Sequence, residues 1–420
     1  MLADISRIAS GQFIAQLMLL ISLPFITRYY NPEEFGVFAV FSAITWILVV
    51  FSTGKIESLI ITMKNKNQAV ALTVGVLLIV LAASLTIVAI IEFFLSNFLN
   101  ILLSRDIEYL SVLVGITVLF TGSAQILRYY ATYLGNFSGH GVAAVLNAVG
   151  IISVSLGYAI FIGGESLPIG IILGQIVGQA LSLFVFLFYT DIVKMVSLKM
   201  LRSPFIVVFN QARKIPVLLV TQLASTLSVR ISTLIMSAIG GVASAGAFSM
   251  SERIVSMPTS TFGQAVGQVA RHRFSKEYEF DNQNTSLPRK VISFTFLITT
   301  IGYGLLIVSA DWFVPFFLGE QWKIIIPFVQ IIAIMELFNF VFYSVEDIAI
   351  IRNNFIYRMW SQIIQLISLI VLYIVVDMTN ILLSVEWVLG LICLARILFV
   401  VYDLTKTWRG VKHSGVSDEH

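Results

Sequence analysis

Apolar runs of 20 or more residues recur along this chain, and no other feature constrains its fold as tightly. A helix rises 1.5 Å per residue, so about 20 such residues cross a ~30 Å hydrocarbon layer. Inside that layer every backbone N–H and C=O must be satisfied within the protein, which leaves helices and closed barrels. Barrel strands alternate apolar and polar residues over about ten positions, whereas these runs are continuous. The expected fold class is therefore an all-α polytopic membrane protein. Composition agrees: 58% of the 420 residues are hydrophobic and 12% charged, against about 25% charged in a soluble domain. A net charge of +3 is too small to argue for nucleic acid, and the single cysteine, Cys393, excludes a disulfide framework.

Hydropathy gives twelve expected spans: 9–27, 36–61, 69–95, 109–134, 141–162, 168–190, 215–239, 243–270, 290–309, 323–350, 360–376 and 382–402. The first lacks a small-residue cleavage site and reads as a retained span. Lys and Arg collect in the even-numbered connections: Lys64 and Lys66; Lys194, Lys199, Arg202, Arg213 and Lys214; Arg271, Arg273, Lys276, Arg289 and Lys290; Arg352 and Arg358. The tail adds Lys406, Arg409 and Lys412, while the odd-numbered connections hold little beyond Arg28, Arg105 and Lys323. By the positive-inside rule both termini are expected in the cytoplasm. The outward connections (29–35, 96–108, 163–167, 240–241, 311–321, 377–381) are short, so no external domain is expected to hold a catalytic site. The basic loops 191–213 and 271–289 read as orientation signals that contact anionic lipid. No phosphate-cradling Gly-x-x-x-x-Gly-Lys-Ser/Thr loop is present, which argues against ATP hydrolysis.

Charge placement singles out a hairpin. Spans 215–239 and 243–270 are joined by Ile239-Gly240-Gly241-Val242, with Arg230 mid-span in the first and Glu252-Arg253 mid-span in the second. Each such residue costs roughly 2.5–3.5 kcal/mol at the bilayer centre on insertion scales, so it is expected to face a bundle interior or a wet cavity. Glu252, Ser256, Ser260, Gln264 and Gln268 recur every four residues, and Gln222, Thr226, Arg230, Thr233 and Ser237 follow i, i+3/i+4 spacing. Four residues turn 400°, so the first stripe drifts about 40° per step unless Pro258 bends the helix. Two polar stripes in lipid fit a cavity wall; the plainer reading is interhelical hydrogen bonding. Adjacent helix positions point about 100° apart, so Glu252 is expected to pair with Arg230 rather than with Arg253.

Elsewhere, Lys55 lies two-thirds along its span with Glu57 as a neutralising neighbour, or snorkels to the surface. Arg128 precedes Tyr129, Tyr130 and Tyr133, either as a cavity wall or as an interfacial helix end. Lys55, Arg128, Arg230 and Arg253 form the candidate cationic set, the guanidinium groups among them offering forked donors that suit anionic oxygens. Glu336, mid-span between Met335 and Phe338, reads as a lone carboxyl suited to ion coupling; Glu252 joins it as a gating or coupling candidate. Glu346, Asp347 and Arg396 read as gate or surface pairs near cytoplasmic ends. Pro24, mid-span, is the candidate hinge or a static kink. Gly170, Gly174 and Gly178, and Gly263 with Gly267, have the spacing of close helix contacts. Tyr29, Tyr30, Trp312 and Trp322 read as interfacial anchors.

A weak internal repeat relates Pro32–Ala39 to Val242–Ser249 and Asn136-Phe137 to Asn354-Phe355. It implies two parallel six-span lobes, 1–200 and 201–420, with a substrate site expected near the midplane where the halves meet. Glu252 then corresponds to Ser42, and the hairpin charges have no counterpart in the first half, so the cavity is expected to be charged mainly on its C-terminal side.

The segments Ala9-Ser10-Gly11-Gln12, Leu23-Pro24-Phe25-Ile26-Thr27-Arg28-Tyr29-Tyr30 and Pro32-Glu33-Glu34-Phe35-Gly36 resemble bacterial polysaccharide-export proteins. So do Gly54-Lys55-Ile56-Glu57, Phe317-Leu318-Gly319-Glu320-Gln321-Trp322 and the run from Gly246 to Pro258. The chain resembles Wzx-type flippases of the multidrug/oligosaccharidyl-lipid/polysaccharide exporter superfamily over nearly its whole length. The resemblance implies twelve spans in two lobes at the bacterial inner membrane. It also implies alternating-access transport of an undecaprenyl-diphosphate-linked repeat unit for O-antigen, lipopolysaccharide, capsule or exopolysaccharide. Implied partners are the lipid-linked oligosaccharide, membrane lipid, and a polysaccharide polymerase with its chain-length regulator. No enzyme activity and no cofactor are implied, and proton or sodium movement is the candidate for resetting the lobes. Two alternatives stay open: an ion-coupled organic-cation exporter, whose cavity should be lined by acids, and a membrane-embedded polymerase or ligase, which usually needs a larger external loop.

Overall fold

The computed structural model describes residues 2–95, 103, 109–136, 138–163, 167–192, 207–209, 211, 215–263, 266, 286–345, 355–379 and 384–413. Among them, all regular structure is helical. The α-helices are α1 (Leu2–Tyr29), α2 (Pro32–Thr53), α3 (Lys66–Ile90), α4 (Leu110–Tyr133), α5 (Ser138–Phe161) and α6 (Leu167–Thr190). They continue with α7 (Ile215–Pro258), α8 (Ser286–Leu318), α9 (Ile326–Val345), α10 (Phe355–Thr379) and α11 (Val385–His413). Among the described residues ten helices are long and apolar enough to cross a membrane, and Ile363–Val376 within α10 is a shorter apolar helix. The protein is a multi-pass membrane protein.

Two expected spans differ in form. Expected span 36–61 stops at Thr53: Gly54 takes a left-handed conformation (φ 58°) and a 3₁₀ helix, Ile56–Thr62, follows. The hairpin 215–270 is one helix, α7, turned at Gly241 (φ 74°, ψ 175°), a conformation that only glycine adopts without a steric penalty. Its α-helical part ends at Pro258 and passes into a π turn, Thr259–Gly263. Gln264 and Gln268 lie outside the described residues, as do Glu346, Asp347, Gly267 and most of the two basic loops.

The chain divides into two compact units, Met1–Gly246 and Ala247–His420; most of α7 falls in the first, whereas the sequence reading put all of it in the second half. In the first unit α5 packs on α6 and α1, and α4 packs on α2, α3 and α6. Small residues let these backbones approach. A methyl on Gly178 would meet the Asn147 carbonyl at 2.7 Å and one on Gly174 the Ile151 carbonyl at 2.9 Å, so the expected glycine stripe of α6 is its contact with α5. Helix α2 starts where its sequence says it should. Asn31 Oδ1 accepts from the Glu34 backbone N–H (2.9 Å), Glu34 Oε2 accepts from the Asn31 N–H (2.8 Å), and Pro32 fills the first turn.

One crossing ties the internal repeat to the fold. A methyl on Gly36 would run into the Val242 carbonyl, and one on Gly246 into the Pro32 carbonyl. The repeat pairs Pro32 with Val242 and Gly36 with Gly246, so the contact is reciprocal, each glycine abutting the partner motif's first residue. Two expected anchors are core residues instead. Tyr30 is fully buried and donates its hydroxyl to the Ser155 carbonyl (2.7 Å), and Trp322 is fully buried beneath α8 and α9. Tyr29 and Trp312 are exposed, as expected of anchors.

In the second unit α8 packs on α9, α9 on α11, and α10 on α11, while the π turn after Pro258 packs on α9. Helix α1 runs through Pro24 to Tyr29.

Candidate functional site: cations on aromatic rings and a buried charge network

In the first unit three cations of the expected set are placed against aromatic rings. Lys55 follows the left-handed Gly54 and is itself left-handed (φ 59°). Its ammonium lies 5.5 Å from the centroid of Tyr129, donates to the Tyr129 hydroxyl at 3.3 Å, and stands 3.9 Å from Glu57 Oε1. Glu57 is fully buried and accepts from Gln125 Nε2 at 2.8 Å. Gln125 and Tyr129 are four residues apart on α4 and so share one helix face. Glu57 thus does more than neutralise Lys55 in passing: it joins the lysine to α4.

Arg128 is exposed on the neighbouring face of α4, its guanidinium 6.0 Å from the Phe186 ring centroid on α6. His140 stands edge-on to the same ring, and its Nε2 is 3.0 Å from the Thr132 hydroxyl. Tyr130 and Tyr133 stack on each other rather than joining Arg128. Arg230, half-buried on α7, lies 5.6 Å from the Trp46 ring centroid on α2. A cation over a ring face is stabilised without being neutralised, by ~0.5–1 kcal/mol when exposed and ~2 or more when desolvated. Lys55 and Arg128 flank one helix but turn to different partners.

The second unit holds buried charge differently. Arg396, only 8% exposed, pairs with Glu252 (Nη1–Oε1 3.6 Å) and lies 4.0 Å from Met335 Sδ. Of the two readings of Arg396, as a gate pair or a surface pair, the surface one is excluded: it is a core residue paired with Glu252. Glu336, 5% exposed, accepts from Asn339 Nδ2 at 2.9 Å and feels the charges of both Glu252 and Arg396. It is therefore not the lone carboxyl its sequence neighbours suggested. Its Oε2 has no hydrogen-bond partner among the described residues; nearby, the Thr259 hydroxyl is engaged with Tyr303 at 2.7 Å. Tyr303 also donates to the Val255 carbonyl at 3.2 Å, which ties the π turn to the helix before it. Ser260 lies in that π turn, so the four-residue polar stripe from Glu252 does not continue on one helix face. Arg253 is half-buried and, among the described residues, has no charged partner.

Trp46, Gln125, Thr259, Tyr303 and Asn339 were not singled out as site residues from sequence. Only Asn339 had a usable signal, sitting three residues after Glu336 on the same face.

Long apolar helices in this arrangement, with charged side chains held inside the bundle, give the chain a fold like that of solved MOP-superfamily transporters. The chain resembles the lipid II flippase MurJ in an inward closed conformation, with a TM-score of 0.68 at 14% identity, over 96% of this chain and 89% of that one. It also resembles an outward-facing MATE family multidrug transporter (TM-score 0.59, 12% identity, 99% and 97% covered). A third likeness is to a MOP superfamily transporter from Pyrococcus furiosus (0.53, 13%, 97% and 95%). At such identities these likenesses carry the fold alone. No curated protein sequence matches the chain. The family model for polysaccharide biosynthesis proteins matches residues 25–327, and the chain belongs to that family. The fold is shared with transporters of known structure, and a bacterial inner-membrane location fits the family.

Proposed function

We propose that this chain is a flippase that moves an undecaprenyl-diphosphate-linked oligosaccharide repeat unit across the inner membrane by alternating access. The observation that carries the reading is the family match over residues 25–327. The cations support it: Lys55, Arg128 and Arg230 are exposed or half-buried against rings, and Arg253 lacks a charged partner among the described residues. Two negative phosphates in hydrocarbon face a steep barrier, and guanidinium and ammonium groups lower it. Sugars and diphosphate travel through the protein while the polyprenyl tail stays in lipid.

In this reading the chain makes twelve crossings in two six-helix lobes, 1–200 and 201–420, with both ends cytoplasmic. A 44-residue helix such as α7 would span about twice the hydrocarbon thickness at 1.5 Å per residue, so its turn at Gly241 counts as the end of one crossing and the start of the next. Glu252 and Glu336 serve gating or coupling to protons or sodium, Pro24 serves as a hinge, and a polymerase with its chain-length regulator consumes the product for O-antigen, lipopolysaccharide or capsule assembly.

The test is transport in proteoliposomes containing the purified chain. Translocation of a labelled undecaprenyl-diphosphate oligosaccharide, with no uptake of an organic cation such as ethidium, is expected. Ethidium transport without lipid translocation would replace this reading with the exporter.

A further inference from the structure

The geometry points to Glu57, with Gln125 and Tyr129, as a positioning group that holds Lys55 in place to receive a phosphate; the inference rests on the flippase reading above.

The first observation is the backbone at Lys55. The left-handed region places Cβ against the following carbonyl, so residues other than glycine, asparagine and aspartate seldom occupy it. Gly54 already supplies one left-handed residue to end α2, with its N–H donating to the Val50 carbonyl at 3.0 Å. Lys55 adds a second, and both sides of it are fastened. Its N–H donates to Thr53 Oγ1 at 3.3 Å, and its carbonyl accepts from the Ser58 N–H at 3.2 Å and the Ser58 hydroxyl at 2.8 Å. A glycine would meet the same geometry without strain. A strained backbone at a charged residue, over-determined by its surroundings, is a mark of function.

The second observation is how the side chain is held. Glu57 is fully buried beside an ammonium whose side chain is 19% exposed. At 3.9 Å their contact is too long for a hydrogen bond, so the pairing orients the lysine without saturating it. An ammonium has three donors. One reaches the Tyr129 hydroxyl and one faces Glu57, which leaves a third for a ligand. Gln125 fixes the carboxylate, and Tyr129 fixes the ammonium from the same face of α4. Thr53, whose hydroxyl oxygen accepts from the Lys55 N–H, also hydrogen-bonds the Glu57 carboxylate, so backbone and side chain of the lysine are held by the same group of residues. Glu57 also offsets the lysine charge while no phosphate is bound, so the site need not hold a bare cation in a dry setting.

The experiment measures binding of undecaprenyl diphosphate to the full chain in nanodiscs, alongside the thermal midpoint. Glu57→Gln keeps an amide oxygen to accept from Gln125 and removes only the charge that orients Lys55. It is expected to weaken binding about tenfold, the size of a lost charge-assisted contact. Lys55→Gly is expected to weaken binding at least as much and to lower the midpoint, because leaving the buried Glu57 without its cation outweighs the relief of left-handed strain. The double variant is expected to bind no worse than Lys55→Gly alone, and Glu57→Asp to recover part of the loss. Wild-type binding by Glu57→Gln, with Lys55→Gly weakened, would overturn the positioning role and leave the flippase reading standing. Wild-type binding by both, with Arg230→Ala weakened, would do the same. Failure of wild-type protein to bind the probe at all would overturn the flippase reading itself.

Discussion

The two compact units carry charge inside the membrane in opposite ways. In the first, Lys55, Arg128 and Arg230 lie against the rings of Tyr129, Phe186 and Trp46. Ring faces ease the burial of a cation, and Lys55 is in addition paired with Glu57. In the second, Arg396 pairs with Glu252, and Glu336, within reach of both charges, accepts from Asn339. Acid and base there spend their charge internally, which suits a gate or a small-cation step better than contact with a large anion.

Removing Arg396 should break the second pattern most severely. Arg396→Ala leaves Glu252 without its partner in a dry setting, a loss of about 3–5 kcal/mol when a buried pair is halved. A large drop in the unfolding midpoint of purified protein is expected, and an unchanged midpoint would mean that the pair is not buried charge at all. Next in size is the frame of the first unit. Gly246→Leu forces a side chain against the Pro32 carbonyl, and overpacking of this kind costs about 1–3 kcal/mol; the same midpoint measurement reports it. The ring–cation pattern is sharpened by Trp46→Ala, which takes the ring from beneath Arg230. A loss of about 0.5–2 kcal/mol in ligand affinity is expected, with Trp46→Phe retaining part of it. Asn31→Ala is the smallest. It removes the cap of α2 for about 1 kcal/mol, read as a modest fall in midpoint with little change in binding.

Much of the helical scaffold was legible because its cause is local. Twenty apolar residues in a row cross a bilayer whatever they pack against, and Asn31-Pro32-Glu33-Glu34 starts a helix by itself. The site was legible only by residue type. Arg230, Arg253, Lys55, Arg128, Glu252 and Glu336 stood out because charge is costly in lipid, but their partners come from distant helices. Nothing near Glu252 in sequence names Arg396, and nothing near Arg230 names Trp46. Lys55 was harder still, since its surroundings depend on a second left-handed residue after Gly54, which no propensity suggests. Tyr30 and Trp322 misled for a related reason. Aromatic residues near span ends usually anchor at the interface, yet both fill the core, Tyr30 by donating to a helix 125 residues away in sequence.

The account rests on cations that meet a diphosphate. Translocation of labelled undecaprenyl-diphosphate oligosaccharide in proteoliposomes, comparing wild type with the Arg230→Ala, Arg253→Ala double variant, tests this most directly. A fall in rate of at least about a hundredfold, the size of two lost charge-assisted contacts, is expected, with the thermal midpoint little changed. Translocation at the wild-type rate by a folded double variant would contradict it.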